Sequence, residues 1–159
     1  IIKGGDVSVE RLRLDQLNRT TFEIEAGYVR SRVQAGDLVF AIRGSIGEVA
    51  MVPNELAGAN ITQDAARVAH TPEVHGRWLL YALKAKPVFS QLDAGALGAT
   101  IKGVNIRDLK RAQIPVPPTL AEQRWQRRRS ARWRVVGGGH QAAPPCSTLC
   151  RSERCHVGS

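Results

Sequence analysis

The sequence predicts an α+β fold, and three observations lead to this class. Two apolar runs in residues 33–53, VQAGDLVFAIRGSIGEVAMVP, flank Arg43-Gly44-Ser45, which is the pattern of a β-hairpin. Residues 71–83 combine helix-start residues with apolar side chains at helical spacing. Residues 105–109 and 119–124 each begin with a residue type that caps helices. Strands and helices therefore alternate along one chain.

The hairpin is the best-defined element. Alternation places Leu38, Phe40 and Ile42 on one face and Val39 and Ala41 on the other. Valine and isoleucine favour the extended backbone because their branched Cβ restricts χ1. We expect Gly44 to allow a tight connection whose tip presents an arginine and a hydroxyl.

Helices are predicted at two places on either side of this hairpin. Thr20 and Glu23 have capping-box spacing, with Thr20 as the cap of a short helix that ends near residue 29. Thr71 is the predicted N-cap of the next helix, with Pro72 in its first turn. Pro87 is expected to interrupt that helix.

Residue types in 105–124 predict three short elements. Asn105 caps a turn that continues to Leu109, and residues 113–116 form a short strand that Pro117 ends. Thr119 and Glu122 form a second capping box, so a helix is expected to begin at Leu120.

Composition narrows the class of protein. The chain has 159 residues, room for one domain, and its apolar runs are too short to span a bilayer. Its start lacks the layout of a signal peptide, and all three cysteines follow residue 145, so we expect a cytoplasmic protein without structural disulfides. The cysteine spacing matches no common zinc pattern, and we expect no metal site.

Charge is distributed unevenly. Residues 1–124 hold 16 Lys and Arg against 13 Asp and Glu, whereas residues 125–159 hold 7 Arg against one Glu. Most of the formal net charge of +9 therefore lies in the last 35 residues. An arginine-rich tail of this kind can bind DNA without sequence preference.

Several polar side chains are candidates for contacts with DNA, because arginine, glutamine and hydroxyl groups bind phosphates and base edges. Each also has a simpler interpretation, as a solvated loop residue or as a partner of backbone groups at a strand edge. The glycines at 98 and 103 resemble a phosphate loop, but Val104-Asn105 replaces the Lys-Ser/Thr that such a loop needs. The candidates are Arg30, Arg32, Arg43, Ser45, Thr62, Gln63, Thr100 and Lys102.

Four segments in a fixed order resemble the target recognition domain of type I restriction–modification specificity subunits. They are RSRVQAGDLVFAIRGSIGEVAMVP, GANITQD, WLLYAL and GATIKGVNIRDLKRAQIPVPPTLAEQR, and the resemblance covers residues 1–124. It implies an α+β domain with a twisted, mostly antiparallel sheet, followed by a helical spacer. It also implies a non-catalytic module that reads one half of a split target in double-stranded DNA.

The same resemblance implies partners and cofactors. Methylation subunits and a restriction subunit would carry out catalysis, as an adenine methyltransferase and a type I site-specific deoxyribonuclease. S-adenosylmethionine, ATP and Mg²⁺ would serve those subunits, and this chain itself would hold no cofactor.

The chain departs from the family pattern at both ends. The segment that opens the recognition domain is absent before residue 1, and WQRRRSARWRVVGGGHQAAPP follows residue 124 in place of a long amphipathic helix. We therefore expect a partial recognition domain at 1–118, the start of a spacer helix at 119–124, and a disordered or out-of-frame tail at 125–159.

Two other functions remain open from the sequence. Asp93, Asp108 and Lys110 have the spacing of a metal-dependent DNA endonuclease, although Asp108 also suits a helix start. Alternatively, the chain is a non-functional remnant that only docks a methylation subunit.

Overall fold

A computed structural model describes residues 1–8, 11–12, 14–93, 103–124 and 155–158. The strands are β1 (Val7–Ser8), β2 (Arg11–Leu12), β3 (Leu38–Ala41), β4 (Val49–Met51), β5 (Ala65–His70) and β6 (Cys155–Gly158). The helices are α1 (Phe22–Ala26), α2 (Gly76–Lys84), α3 (Lys86–Asp93), α4 (Ile106–Arg111) and α5 (residues 120–124). The predicted α+β class is confirmed.

The main sheet has the order β4-β3-β5-β6, and each neighbouring pair is antiparallel. In the pairing of β3 with β5, Phe40 lies opposite Ala66. Strands β1 and β2 form a separate antiparallel pair. Strand β6 comes from the tail, where the sequence predicted no secondary structure, and it pairs with β5 through its backbone. The other tail residues, 125–154 and 159, lie outside the described ranges.

Both faces of the sheet are buried, and the predicted alternation in β3 is confirmed. Leu38 and Phe40 belong to a core shared with helices α2, α3 and α4. Val39 and Ala41 belong to a second core, which the N-terminal residues and residues 33–61 complete. Covering both faces explains why all four residues of β3 are buried and why the strand reads as a continuous apolar run.

The predicted hairpin is present, but its connection is not tight. Residues 42–48 join β3 to β4, and Gly44 has a positive φ of 75° within this loop. The loop bends towards β5 because the amides of Ile42 and Arg43 both donate to the backbone oxygen of Asp64. A longer loop with a tertiary contact therefore stands where the sequence predicted a tight connection.

Two predicted N-caps are wrong, and the first helix is shorter than predicted. Thr21, not Thr20, caps α1, and the helix ends at Ala26. Helix α2 begins at Gly76 with His75 as its N-cap, and the His75 amide donates to the side chain of Gln123. Thr71 and the two residues after it instead form a turn.

Of the predictions for residues 105–124, one is wrong and two are confirmed. Residues 113–116 are not a strand, and the Gln113 backbone is bound by the Gln91 side chain. The cap at Asn105 is confirmed by its bond to the Arg107 amide. The capping box of Thr119 and Glu122 is also confirmed, and α5 begins at residue 120.

Candidate nucleic-acid interface

Three segments that are distant in the sequence meet at one end of the sheet. The amides of Ile42 and Arg43 lie 3.0 and 3.1 Å from the Asp64 oxygen. Gly4 lies against the same place, since a Cβ on Gly4 would overlap the backbone oxygens of Arg43 and Asp64. Val104 joins from a fourth segment, because its amide donates to the Ile42 oxygen at 2.9 Å. We call this surface, formed by residues 4–5, 42–45, 62–64 and 103–104, the loop face.

The loop face presents several polar side chains to solvent. The Arg43 side chain is 62% exposed, and its Nη1 lies 4.0 Å from Oδ1 of Asp64, which is 40% exposed. Gln63 is exposed, and the Thr62 hydroxyl is half-buried and accepts from the Asp64 amide at 3.4 Å. Ser45 is half-buried, and its backbone oxygen accepts from the Glu48 amide. The structure therefore brings Arg43, Ser45, Thr62 and Gln63 onto one surface.

A groove of about 930 Å³ lies beside the loop face. One wall consists of residues 24–31 and the other of residues 60–65, with Ile1 and Lys3 also in contact with the groove. Arg30 lies on the first wall, in a 3₁₀ turn at Val29–Ser31, and is exposed. Thr62 and Gln63 belong to the second wall. The groove therefore places Arg30 near two candidates from the loop face.

Two exposed apolar side chains line this groove, Tyr28 at 63% and Ile24 at 59% exposure. Phe22, in α1, is 92% exposed. Sequence reasoning did not single out these residues. Their local sequence has the acids and cap of an ordinary surface helix, and exposure follows only from which neighbours the fold places around α1.

Arg32 has a different environment from Arg30. Its Nε and Nη2 atoms donate to the two carboxylate oxygens of Glu25 at 2.5 and 2.6 Å, a bidentate pair. Hydrogen bonding from Arg32, and to a lesser degree from Asn60, holds the pKa of Glu25 below its ordinary value, and the same pair raises the pKa of Arg32. Two of the guanidinium nitrogens are therefore already engaged within the fold.

Asn60 binds within the fold. It is 8% exposed, and its Nδ2 donates to the Tyr28 backbone oxygen and to the Ser31 hydroxyl. The amide therefore ties the two walls of the groove together. Thr100 and Lys102, the other predicted candidates, lie outside the described residues.

The endonuclease interpretation gains no support from the site. Asp108 lies in the first turn of α4, where an acid suits the helix dipole, and the Asp93 side chain is outside what the structure describes. Among the described residues, no group of three or more His, Cys, Asp or Glu is placed to hold a metal ion. Within the same part of the chain, no helix is long and apolar enough to cross a membrane.

Comparison with known proteins identifies the family of this chain. Residues 12–126 match the family model described as the type I restriction modification DNA specificity domain. The chain is 28% identical over 124 residues to the type I restriction enzyme EcoBI specificity subunit of Escherichia coli, over 77% of this chain and 26% of that protein.

Solved structures show the same fold. The HsdS subunit from Thermoanaerobacter tengcongensis aligns with a TM-score of 0.54 and 25% identity, over 67% of this chain and 29% of that one. A chain from a structure on complex assembly and conformational transition of the type I R-M system aligns with a TM-score of 0.57 and 22% identity, over 65% of this chain and 27% of that one. This chain thus spans less than a third of the length of each relative. The family match covers most of its residues, and the chain therefore belongs to the type I restriction–modification DNA specificity domains.

Proposed function

We propose that this chain reads one half of a bipartite target in double-stranded DNA as the recognition domain of a type I specificity subunit. The observation that carries the proposal is the loop face, where Arg43, Thr62 and Gln63 converge from two separate segments. Exposed arginine and glutamine are the side chains that pair with guanine and adenine edges. In this proposal they supply sequence discrimination.

Arg30 has a separate role in this proposal. It lines the same groove as Gln63 and is exposed, so it is suited to hold a phosphate and fix the orientation of the domain on the duplex. Ser45 and, from the segment beyond the described residues, Thr100 and Lys102 remain proposed contacts. Arg32 also remains a proposed contact, through the part of its guanidinium that Glu25 does not occupy.

The whole complex is part of the proposal. Partner methylation and restriction subunits would use S-adenosylmethionine, ATP and Mg²⁺, and this chain would supply sequence specificity without a cofactor of its own. The complex would act in the cytoplasm. The relatives named above are specificity subunits of such systems, which supports this assignment.

We also propose the division into a recognition domain at 1–118, a helix start at 119–124 and a tail at 125–159 that is out of frame. The family match ends at residue 126, close to this boundary, and α5 begins after the confirmed capping box. Sequencing the coding DNA across codon 124 tests the tail. A shifted frame that encodes a long amphipathic helix would support the division, and the absence of such a frame would contradict it.

The test of DNA reading is selection of the full chain against short duplexes with a randomised central window. We expect wild-type protein to enrich a defined sequence. Arg43→Ala and Gln63→Ala should each reduce the preference at one position, whereas Arg30→Ala should weaken binding to all sequences alike.

The matched control is Arg77→Ala, which removes an exposed arginine from α2, outside the loop face. It should leave the selected sequence unchanged. A wild-type protein that enriches no sequence, or an Arg43→Ala protein that selects the same sequence with the same preference, would contradict the proposal.

A further inference from the structure

A carboxylate lies within the surface that we propose to face DNA. Asp64 belongs to the loop face, and its side chain is 40% exposed beside Arg43. Phosphate groups repel a carboxylate, so an acid at a DNA surface opposes sequence-independent binding. Its position therefore restricts what its neighbours can contact.

The backbone fixes Asp64 relative to Arg43. The Asp64 oxygen accepts from the amides of Ile42 and Arg43, and the Asp64 amide donates to the Thr62 hydroxyl. These bonds use backbone atoms of Asp64, so the carboxylate itself remains available to act on neighbouring side chains. Gly4 packs against the same pair of backbone oxygens and closes the arrangement from a third side.

The Arg43 guanidinium has a charged neighbour but no hydrogen bond to it. Nη1 of Arg43 lies 4.0 Å from Oδ1 of Asp64, and the arginine is still 62% exposed. A guanidinium has five N–H donors in a planar fork, so a carboxylate on one side leaves donors for another acceptor. Guanine offers two such acceptors, O6 and N7, in the major groove, and both suit a bidentate contact.

We propose that Asp64 is a specificity-determining residue of the loop face and that it directs Arg43 to guanine. The carboxylate attracts the nearby guanidinium and repels phosphates, so Arg43 gains more from a guanine edge than from the DNA backbone. This inference rests on the proposed function, since it names the base that one residue of the interface reads.

The test uses Asp64→Asn in the full chain, because asparagine keeps the size of the side chain and the backbone contacts and removes only the charge. Selection against the randomised duplex pool is compared with wild type. At the position that Arg43 contacts, identified by Arg43→Ala, wild type should select guanine. Asp64→Asn should lower that preference about tenfold.

Salt dependence gives a second readout that a merely structural role would not change. Freed from the carboxylate, Arg43 can bind a phosphate, so affinity for unrelated duplexes should rise. The slope of log affinity against log salt concentration should become more negative by about one, the change expected for one added phosphate contact. Glu55→Gln, at an exposed acid outside the loop face, serves as the charge-matched control and should change neither quantity. Thermal unfolding followed by circular dichroism checks that each variant is folded.

The outcomes separate the two proposals. Wild type that enriches no sequence overturns the proposed function and this inference with it. If wild type enriches a sequence but the position set by Arg43 is not guanine, only the inference is overturned. The same holds if Asp64→Asn retains both the wild-type preference and the wild-type salt slope.

Discussion

Two regions of the molecule use polar side chains in opposite ways. At the start of α5, Gln123 is fully buried, and its amide binds the backbone of three residues. Its Nε2 donates to the oxygens of Glu73 and Pro117, and its Oε1 accepts from the His75 amide at 2.6 Å. On the loop face, Arg43 and Gln63 are exposed. Gln123 is bonded inside the fold through both ends of its amide, whereas the exposed Arg43 and Gln63 retain donors and acceptors for a partner.

The largest expected effect is at Gln123. Gln123→Leu would leave the His75 amide and the Glu73 and Pro117 oxygens without their partner, so we expect the free energy of unfolding to fall by about 3 kcal/mol. Urea denaturation measures this change.

Gln91 provides a matched control for Gln123. Its side chain also binds backbone groups, those of Pro87 and Gln113, but it is exposed and water can replace it. Gln91→Leu should therefore cost less than about 1 kcal/mol. Equal losses at the two positions would contradict the contrast between a buried and an exposed amide.

The next effect concerns a structural residue within the loop face itself. In Gly4→Ala the new Cβ would meet the backbone oxygens of Arg43 and Asp64, so the segments must move apart. We expect a loss of about 2 kcal/mol in the free energy of unfolding, together with weaker selection of DNA. Gly5→Ala is the control, since a Cβ there has no neighbour within 4 Å, and it should behave like wild type. A stable Gly4→Ala protein would show that the contact is not needed.

A smaller effect is expected from the side chains of the loop face. Arg43→Ala and Gln63→Ala remove exposed groups, and we expect each to change the free energy of unfolding by less than about 0.5 kcal/mol. Thermal and urea unfolding should therefore match wild type while DNA selection changes. Destabilisation as large as that of Gln123→Leu would remove the distinction between the two regions.

The ion pair of Arg32 and Glu25 is neither fully buried nor fully exposed. Its contribution to the free energy of unfolding is tested by the dependence of that energy on pH. Because the folded state lowers the pKa of Glu25, the stabilisation by this pair is fully present above the pKa of an unfolded glutamate, about 4.3. It is lost as the pH falls through the lower pKa of the folded state. Glu25→Gln should therefore lose stability at neutral pH and show a weaker decline in acid, as measured by denaturation across pH. An unchanged acid profile would contradict the assignment.

Sequence patterns predicted those parts of the fold that depend on neighbouring residues. Alternation in β3 assigned Phe40 and Val39 to opposite faces, and spacing identified the caps at Asn105 and Thr119. Two of the errors lie where a distant group takes part. Gln123 binds the His75 amide next to the start of α2, and the Asp64 oxygen binds two amides of the hairpin loop.

The candidate site shows the same division. Residue type was sufficient to nominate Arg43, Thr62 and Gln63, because exposed donors in turns are visible in a sequence. The proximity of Asp64 to Arg43 was not predictable in this way, since the two residues are 21 positions apart in the chain. The pairing of Arg32 with Glu25 likewise joins residues 7 positions apart, on either side of a turn.

The contact of Gly4 with the oxygens of Arg43 and Asp64 has a consequence for engineering. Residues 42–45 and 62–64 share a hydrogen-bonded seam, and the N-terminal segment packs against it. A graft that transfers only one of these loops from a relative would disturb the backbone hydrogen bonds between them. New specificities are more safely exchanged as a cassette that keeps a glycine at position 4 and carries residues 42–45 and 62–64 together.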